Sequence, residues 1–398
     1  MGPTLVFDKS VIECLSERES RWLTNLYALN RVPTLFMEIL ANLKKDWRDG
    51  RAPEGHVQGL ANKIPQIDVW QNLHHREIWY HNLLGYEVPM DGHVLVPRGE
   101  RIVDATGAEA NFLGRSPEDK AMSRWVEGRF NEFEGVLAQR WRDAIKLIDL
   151  VELGKSYRKV YPKWREVAPD LSSIQDVVAK ISSGRTGNFE LLRQIINTLE
   201  PGDIEYEKNV IRNWRMNGRP KIIEYAPYAV HCFSVNIFFS IGIASDTLST
   251  RPTNLIDLQY LYYLPFCKVF VSGDRFHQSL VPFFLRDGQV FLEAEHLKQD
   301  LREIADAWDT NQDGTSGTMS FVRHPLPNSY SEKVWDTCWP DWRKQFVDEE
   351  MPSTEEQRKK TYARLRPMLD AIETHTVAKQ GHPSQWDALL NPDPKDHF

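Results

Sequence analysis

The sequence predicts an α/β fold in which an open parallel sheet is split by a large, mainly helical insertion and followed by a helical C-terminal extension. Three observations carry this. The apolar run Thr4-Leu-Val-Phe opens the chain and gives way to short helical segments and a second strand entry, the alternation that builds parallel sheets through crossover helices. The alternation returns near the middle of the chain, where NLIDLQYLYYL, CKVFVS and QVFL read as helix, strand and strand. Between the two, Trp125, Phe133, Leu137, Trp141 and Ile148 recur at roughly helical spacing.

Taken in order, residues 1–45 form the first part of the core. Thr4 to Phe7 is a strand and Ser16 to Leu29 a helix, with Ser16 and Glu19 spaced as a capping box. Val32-Pro33 is a short strand entry leading to a helix that carries Glu38. Residues 46–249 are the insertion. Its first stretch is rich in Gly, Pro, His and Trp, with a hairpin expected over 88–107; the rest is helical, punctuated by Pro162, Pro169, Pro201 and Pro220. Residues 250–295 complete the core with a helix from Asn254 to Leu264, a buried strand from Cys267 to Ser272 ended by Gly273-Asp274, a helix over 276–285 and a strand over 289–292. Residues 296–398 are a mostly helical extension with a polar loop near 309–317 and a flexible, Pro-containing tail.

Composition narrows the function classes. The 398 residues are 41% hydrophobic and 26% charged, with a net charge of −7, so the surface as a whole is not a polycation. Contact with nucleic acid must come from local basic patches. The four cysteines lie far apart with no CxxC pair, which argues against a zinc site or a disulfide framework and suits a reducing cytoplasm. No basic segment followed by an apolar run marks a signal peptide. The apolar stretch Tyr225 to Ser245 carries His231, Asn236 and several serines, and reads as a buried core helix rather than a membrane span.

Each half of the core offers two acids. Asp8 and Asp274 end strands; Glu38 and Asp257 lie early in helices. In an open parallel sheet, sites form beyond the carboxyl ends of the strands. Four carboxylates gathered there would repel one another and resist desolvation unless a hard cation joined them. Mg²⁺ or Mn²⁺ prefers such oxygen donors and keeps waters for substrate phosphate. Any one strand-end Asp is more often a cap or a surface residue; the ordered set of four is the stronger signal.

These pieces, TLVFDKSVIECL, PTLFMEILANL and NLIDLQYLYYLPFCKVFVSGDRFH, resemble the core of a PIN-domain nuclease. The resemblance implies a Rossmann-like parallel sheet whose acids bind Mg²⁺ or Mn²⁺, and most members of that superfamily cleave RNA. It places Asp8 at the first-strand acid, Glu38 at the second, Asp257 at the third and Asp274 at the fourth. Ser10 matches the small hydroxyl residue two places after the first Asp, and Asn254 and Ser272 join it as supporting residues. The resemblance covers about a quarter of the chain. Two features depart from the pattern: Glu38 and Asp257 lie 219 positions apart, and SGDRFH stands where a Thr-Asn-Asp type is common.

Two basic runs in the insertion suggest how a single-stranded RNA would be held. KSYRKVYPKWR supplies Lys155, Arg158, Lys159, Lys163 and Arg165 among Tyr157, Tyr161 and Trp164. KNVIRNWRMNGRPK supplies Arg212, Arg215 and Arg219 around Trp214. Cations that track phosphates between rings that stack on bases suit a single strand; the plainer reading is a solvated helix face with its rings in the core. Weaker patterns read better as structure: Arg76 to His81 as a chance Arg-x4-His, His277 as a packing residue, and Asp309 to Gly314 as a polar turn. The sequence therefore predicts a metal-dependent endoribonuclease. The alternatives are a catalytically silent RNA-binding or protein-interaction module and a DNA-directed flap-type nuclease. Homo-oligomerisation and protein partners stay open.

Overall fold

The structure, a computed structural model, describes residues 2–45, 52–66, 69–96, 100–103, 109–112, 115–185, 187–200, 202–312, 324–347 and 366. Among the described residues there are seven strands: β1 (Thr4–Phe7), β2 (Ala28–Arg31), β3 (Val69–Gln71), β4 (Glu100–Val103), β5 (Glu109–Phe112), β6 (Val269–Ser272) and β7 (Val290–Glu293). Five of them form one parallel sheet in the order β3-β2-β1-β6-β7, while β4 and β5 pair as a separate antiparallel hairpin. Leu5 of β1 lies in register with Leu29 of β2 on one side and Val269 of β6 on the other. The two core fragments therefore share a sheet, and β1 and β6 are buried along their whole length.

The helices that matter here are α1 (Lys9–Cys14), α2 (Pro33–Leu40), α3 (His75–Leu83), α4 (Leu150–Val160), α5 (Leu171–Ser182), α6 (Asn188–Leu199), α7 (Pro227–Ala244), α8 (Asn254–Leu261), α9 (Arg275–Leu280), α10 (Ala294–Gln312) and α11 (Tyr330–Cys338). Helix α7 is apolar on every side because α3, α4, α5, α6 and α8 all pack against it. Among the described residues it is the one helix long and apolar enough to cross a membrane, and 67% of that stretch is buried inside the protein.

Several boundaries differ from the sequence reading. The Ser16–Glu19 capping box forms, but the helical region ends at Leu26 and the second strand is Ala28–Arg31, not Val32-Pro33. Pro33 starts α2, which leaves Val32 as its cap. Polar Asn30 and Arg31 disguised the strand. Both are buried because Asn30 Nδ2 donates to the Phe266 carbonyl at 2.8 Å, and Arg31 donates to Gln71 and pairs with Asp119. The sheet also recruits β3 from the stretch assigned to the insertion, so the core runs past residue 45 to Gln71. The hairpin exists but falls at 100–112 instead of 88–107. Residues 309–312 are the last turn of α10, not a loop; 313–317 and the expected tail lie outside the described residues.

Candidate active site

Asp8 follows β1 directly and caps α1; Asp274 lies two residues beyond β6 and caps α9. Glu38 sits on α2 and Asp257 on α8, so the parallel topology brings all four acids to the carboxyl edge of the β1–β6 pair. Their mutual influence is visible in their acidities. Burial, with Asp257 and Asp8 adding repulsion, raises Glu38 to about 7 despite Lys9 and a Tyr260 hydroxyl that donates to its Oε2 at 2.5 Å. Burial, with Asp274 and Asp8, raises Asp257 to about 6 against the opposing pull of His277 and Arg251.

Asp8 behaves differently. It accepts the Ser10 hydroxyl (2.5 Å) and the Val11 N–H (3.3 Å) on Oδ1, and the Ser272 hydroxyl (2.5 Å) and His277 Nδ1–H (2.9 Å) on Oδ2. Burial alone would push its carboxyl up; the bond to His277 and its charge, then Ser10 and Ser272, outweigh that and hold it below the usual carboxylate range. A carboxylate has about four lone-pair sites, and here each has a donor. Asp8 was expected as a metal ligand, but in this arrangement it is the hub of a hydrogen-bond network with no open oxygen.

His277 is the residue the sequence undervalued. It is fully buried, and both ring nitrogens face acceptors: Nδ1 meets Asp8, and Nε2 lies 2.8 Å from the Asp257 carbonyl. With the Ser272 hydroxyl also 3.0 Å from Nδ1, the two acceptors favour a ring that carries both N–H protons. Burial opposes that charge, but Asp8 and Asp257 overcome it and raise the ring to about 9. One buried cation thus ties the first half of the core to both elements of the second. Its spacing, Asp274-Arg-Phe-His277, places it one turn into α9 on the side facing the sheet, the only trace available in the sequence.

Of the supporting residues, Ser10 also accepts the Gly273 N–H at 2.8 Å, and Ser272 accepts the Asp274 N–H at 2.9 Å, so both stitch the loop after β6 to the hub. Asn254 does not join them. Its amide donates to the carbonyl and hydroxyl of Ser249, both at 2.9 Å, and so secures the preceding loop.

The basic runs divide in the same way. Arg158 donates to the Ile243 and Ala244 carbonyls at the end of α7 and pairs with Asp246 at 2.9 Å; Arg165 pairs with the same Asp246. Arg158 thus caps the end of α7 and both arginines are taken up by Asp246, where phosphate contacts were expected. Lys155 pairs with Glu152, and Arg215 lies over the Phe189 ring, while Lys159, Lys163, Arg212 and Arg219 are exposed. Trp214 is buried, as the plainer reading has it. Arg76 is held by Glu200 and His81 by the Glu77 carbonyl, so neither belongs to a site.

The donor set suits a hard cation in kind: Glu38, Asp257 and Asp274 offer carboxylate oxygens on an edge with surplus negative charge. In spacing it is looser, because no three His, Cys, Asp or Glu side chains among the described residues lie close enough to hold one ion. Mg²⁺ often takes only one or two protein carboxylates and fills its remaining positions with water and phosphate. Compared with models of known families, with curated proteins and with solved structures, the chain matches none.

Proposed function

We propose that this chain is a metal-dependent, PIN-like nuclease that hydrolyses phosphodiester bonds of single-stranded RNA. The observation that carries the reading is the convergence of Glu38, Asp257 and Asp274 around the Asp8 hub, with Glu38 at about 7 and Asp257 at about 6. Carboxylates raised in this way are under-neutralised, the condition that a bound cation relieves. The sheet order, with the acids at the ends of its two central strands and on the flanking helices, agrees with the resemblance seen in the sequence.

One or two of the carboxylates of Glu38, Asp257 and Asp274 would hold Mg²⁺ or Mn²⁺, which would supply charge to a phosphate and acidify a bound water. The chain's own residues do the rest. Tyr260 fixes Oε2 of Glu38 and leaves Oε1 to take a proton from the attacking water, a role matched to a carboxyl near neutrality. His277 and the two serines hold Asp8, and with it the loop carrying Asp274, in place. Attack in line with the leaving oxygen gives a 3′-hydroxyl and a 5′-phosphate. Exposed Lys159 and Lys163 on one run, and Arg212 and Arg219 on the other, are the cations left to meet the strand.

The test is Mn²⁺-dependent cleavage of a single-stranded RNA oligonucleotide, with a flap DNA as the second substrate. Loss of a general base costs about 10²–10⁴-fold, so Glu38→Gln should fall in that range. Activity equal to wild type in Glu38→Gln and Asp257→Asn would sink the assignment. The loose ligand spacing and the saturated Asp8 favour one other reading, a catalytically silent RNA-binding module; retained RNA binding without cleavage, and without thermal stabilisation by millimolar Mn²⁺, would select it.

A further inference from the structure

A second cavity lies at the opposite, amino edge of the same sheet and shares no residue with the acids. It measures about 550 Å³ and is lined by Thr4 at the start of β1, Ala28 at the start of β2, Trp70 of β3, Lys268 before β6, and Cys338 and Trp339 at the end of α11. That volume falls within the range of small-molecule sites. Most of the lining is apolar, and the half-buried Trp70 and Trp339 put indole surface in its wall, Trp339 with its ring also packed on Trp335.

The charged group in this wall is Lys268. It is half-buried and has no carboxylate partner among the described residues. Its position is fixed from two sides. The backbone N–H donates to the Thr4 carbonyl at 2.8 Å, and the carbonyl accepts the Val290 N–H at 2.9 Å and the Cys338 thiol at 3.5 Å. Its stem crosses Gly92, where a side chain would place Cβ 2.6 Å from the Lys268 Cε; Gly92 has φ +86°. The positive φ is what calls for glycine at this position; the lysine tip itself could shift aside. An ammonium with no carboxylate partner among the described residues, at the wall of a mostly apolar cavity, is a setting that favours an anion. Burial raises the Cys338 thiol to about 11, so it stays neutral and the cavity is suited to binding rather than covalent attack.

We propose that this cavity binds a small planar aromatic anion, its ring between Trp70 and Trp339 and its carboxylate on Lys268. The proposal does not depend on the nuclease reading. The probe is 2-naphthoate, titrated by calorimetry into the full chain, with the uncharged 2-naphthamide alongside. A single saturable site is expected for naphthoate. The amide, and naphthoate on Lys268→Met, should bind at least about tenfold more weakly, as loss of a charge-assisted bond implies. Trp70→Leu, a second and independent variant, should weaken both ligands. No saturable naphthoate binding, equal affinity for the amide, or affinities unmoved by both variants would overturn the proposal.

Discussion

Four acids reach the carboxyl edge of the sheet around the buried His277; along helix α4 and the turn after it, bases predominate and several find acidic partners, Lys155 in Glu152 and Arg158 and Arg165 in Asp246. Topology makes the contrast. A parallel sheet delivers every strand end and the following helix N-terminus to one edge, so Asp8 and Asp274 meet there whether or not their charges agree. A surface helix imposes no such meeting. Lys155 finds Glu152 one turn away, and Arg158 and Arg165 swing onto Asp246 and the carbonyls ending α7. Charge left unneutralised marks a candidate site; charge neutralised at short range marks architecture.

Breaking the hub should have the largest effect. Asp8→Ala removes the cap of α1 and leaves the His277 imidazolium buried without its carboxylate, at a cost of about 3–5 kcal/mol; urea unfolding measures it, and a loss under about 1 kcal/mol would show that the network does not hold the edge together. Next comes pH in metal-free protein. Glu38 is raised from 4.5 to about 7 and Asp257 from 3.8 to about 6, so the protonated carboxyls favour the native state. Their contribution is complete below about pH 4 and is lost as pH rises through 6 to 7. Both groups are partly exposed, which limits the decline to about 1–2 kcal/mol. Glu38→Gln should flatten it, and Mn²⁺ should oppose it. His277, raised to about 9, adds a separate loss between pH 6.5 and 9 that disappears in His277→Gln.

The contrast with the helical block sharpens at smaller scale. Arg158→Ala should cost about 1–2 kcal/mol through its carbonyl bonds and its ion pair, whereas Lys159→Ala should stay within about 0.5 kcal/mol. For RNA binding the order should reverse. The double variant Lys159→Ala with Lys163→Ala lowers affinity and the salt slope, and Arg158→Ala changes neither. If Arg158 proves the stronger determinant of binding, the division between structural and free cations fails. Asn254→Ala should cost about 1 kcal/mol of stability and leave any cleavage unchanged, because its amide serves the Ser249 loop.

Much of this was legible in the residues. Apolar runs at Thr4–Phe7 and Val269–Ser272 declare buried strands, and acids placed just past them fall on the carboxyl edge in any parallel sheet. The Ser16–Glu19 box and the all-apolar helix α7 are local patterns, and both formed. Where partners come from afar, the pattern was silent. Strand β2 depends on Phe266, Gln71 and Asp119 to bury its Asn30 and Arg31, and the three-residue β3 exists only as a neighbour to β2.

By itself, then, the sequence determined the two central buried strands, the long apolar helix and which edge would receive the acids, because those follow from periodicity and chain direction. Only the tertiary structure decided what each polar group does there. The four donors that saturate Asp8, the two acceptors that keep His277 charged, and the counter-ions that occupy Arg158 and Arg165 come from segments far apart in the chain. A hydrogen bond or an ion pair is set by distance in space, which the order of residues does not record.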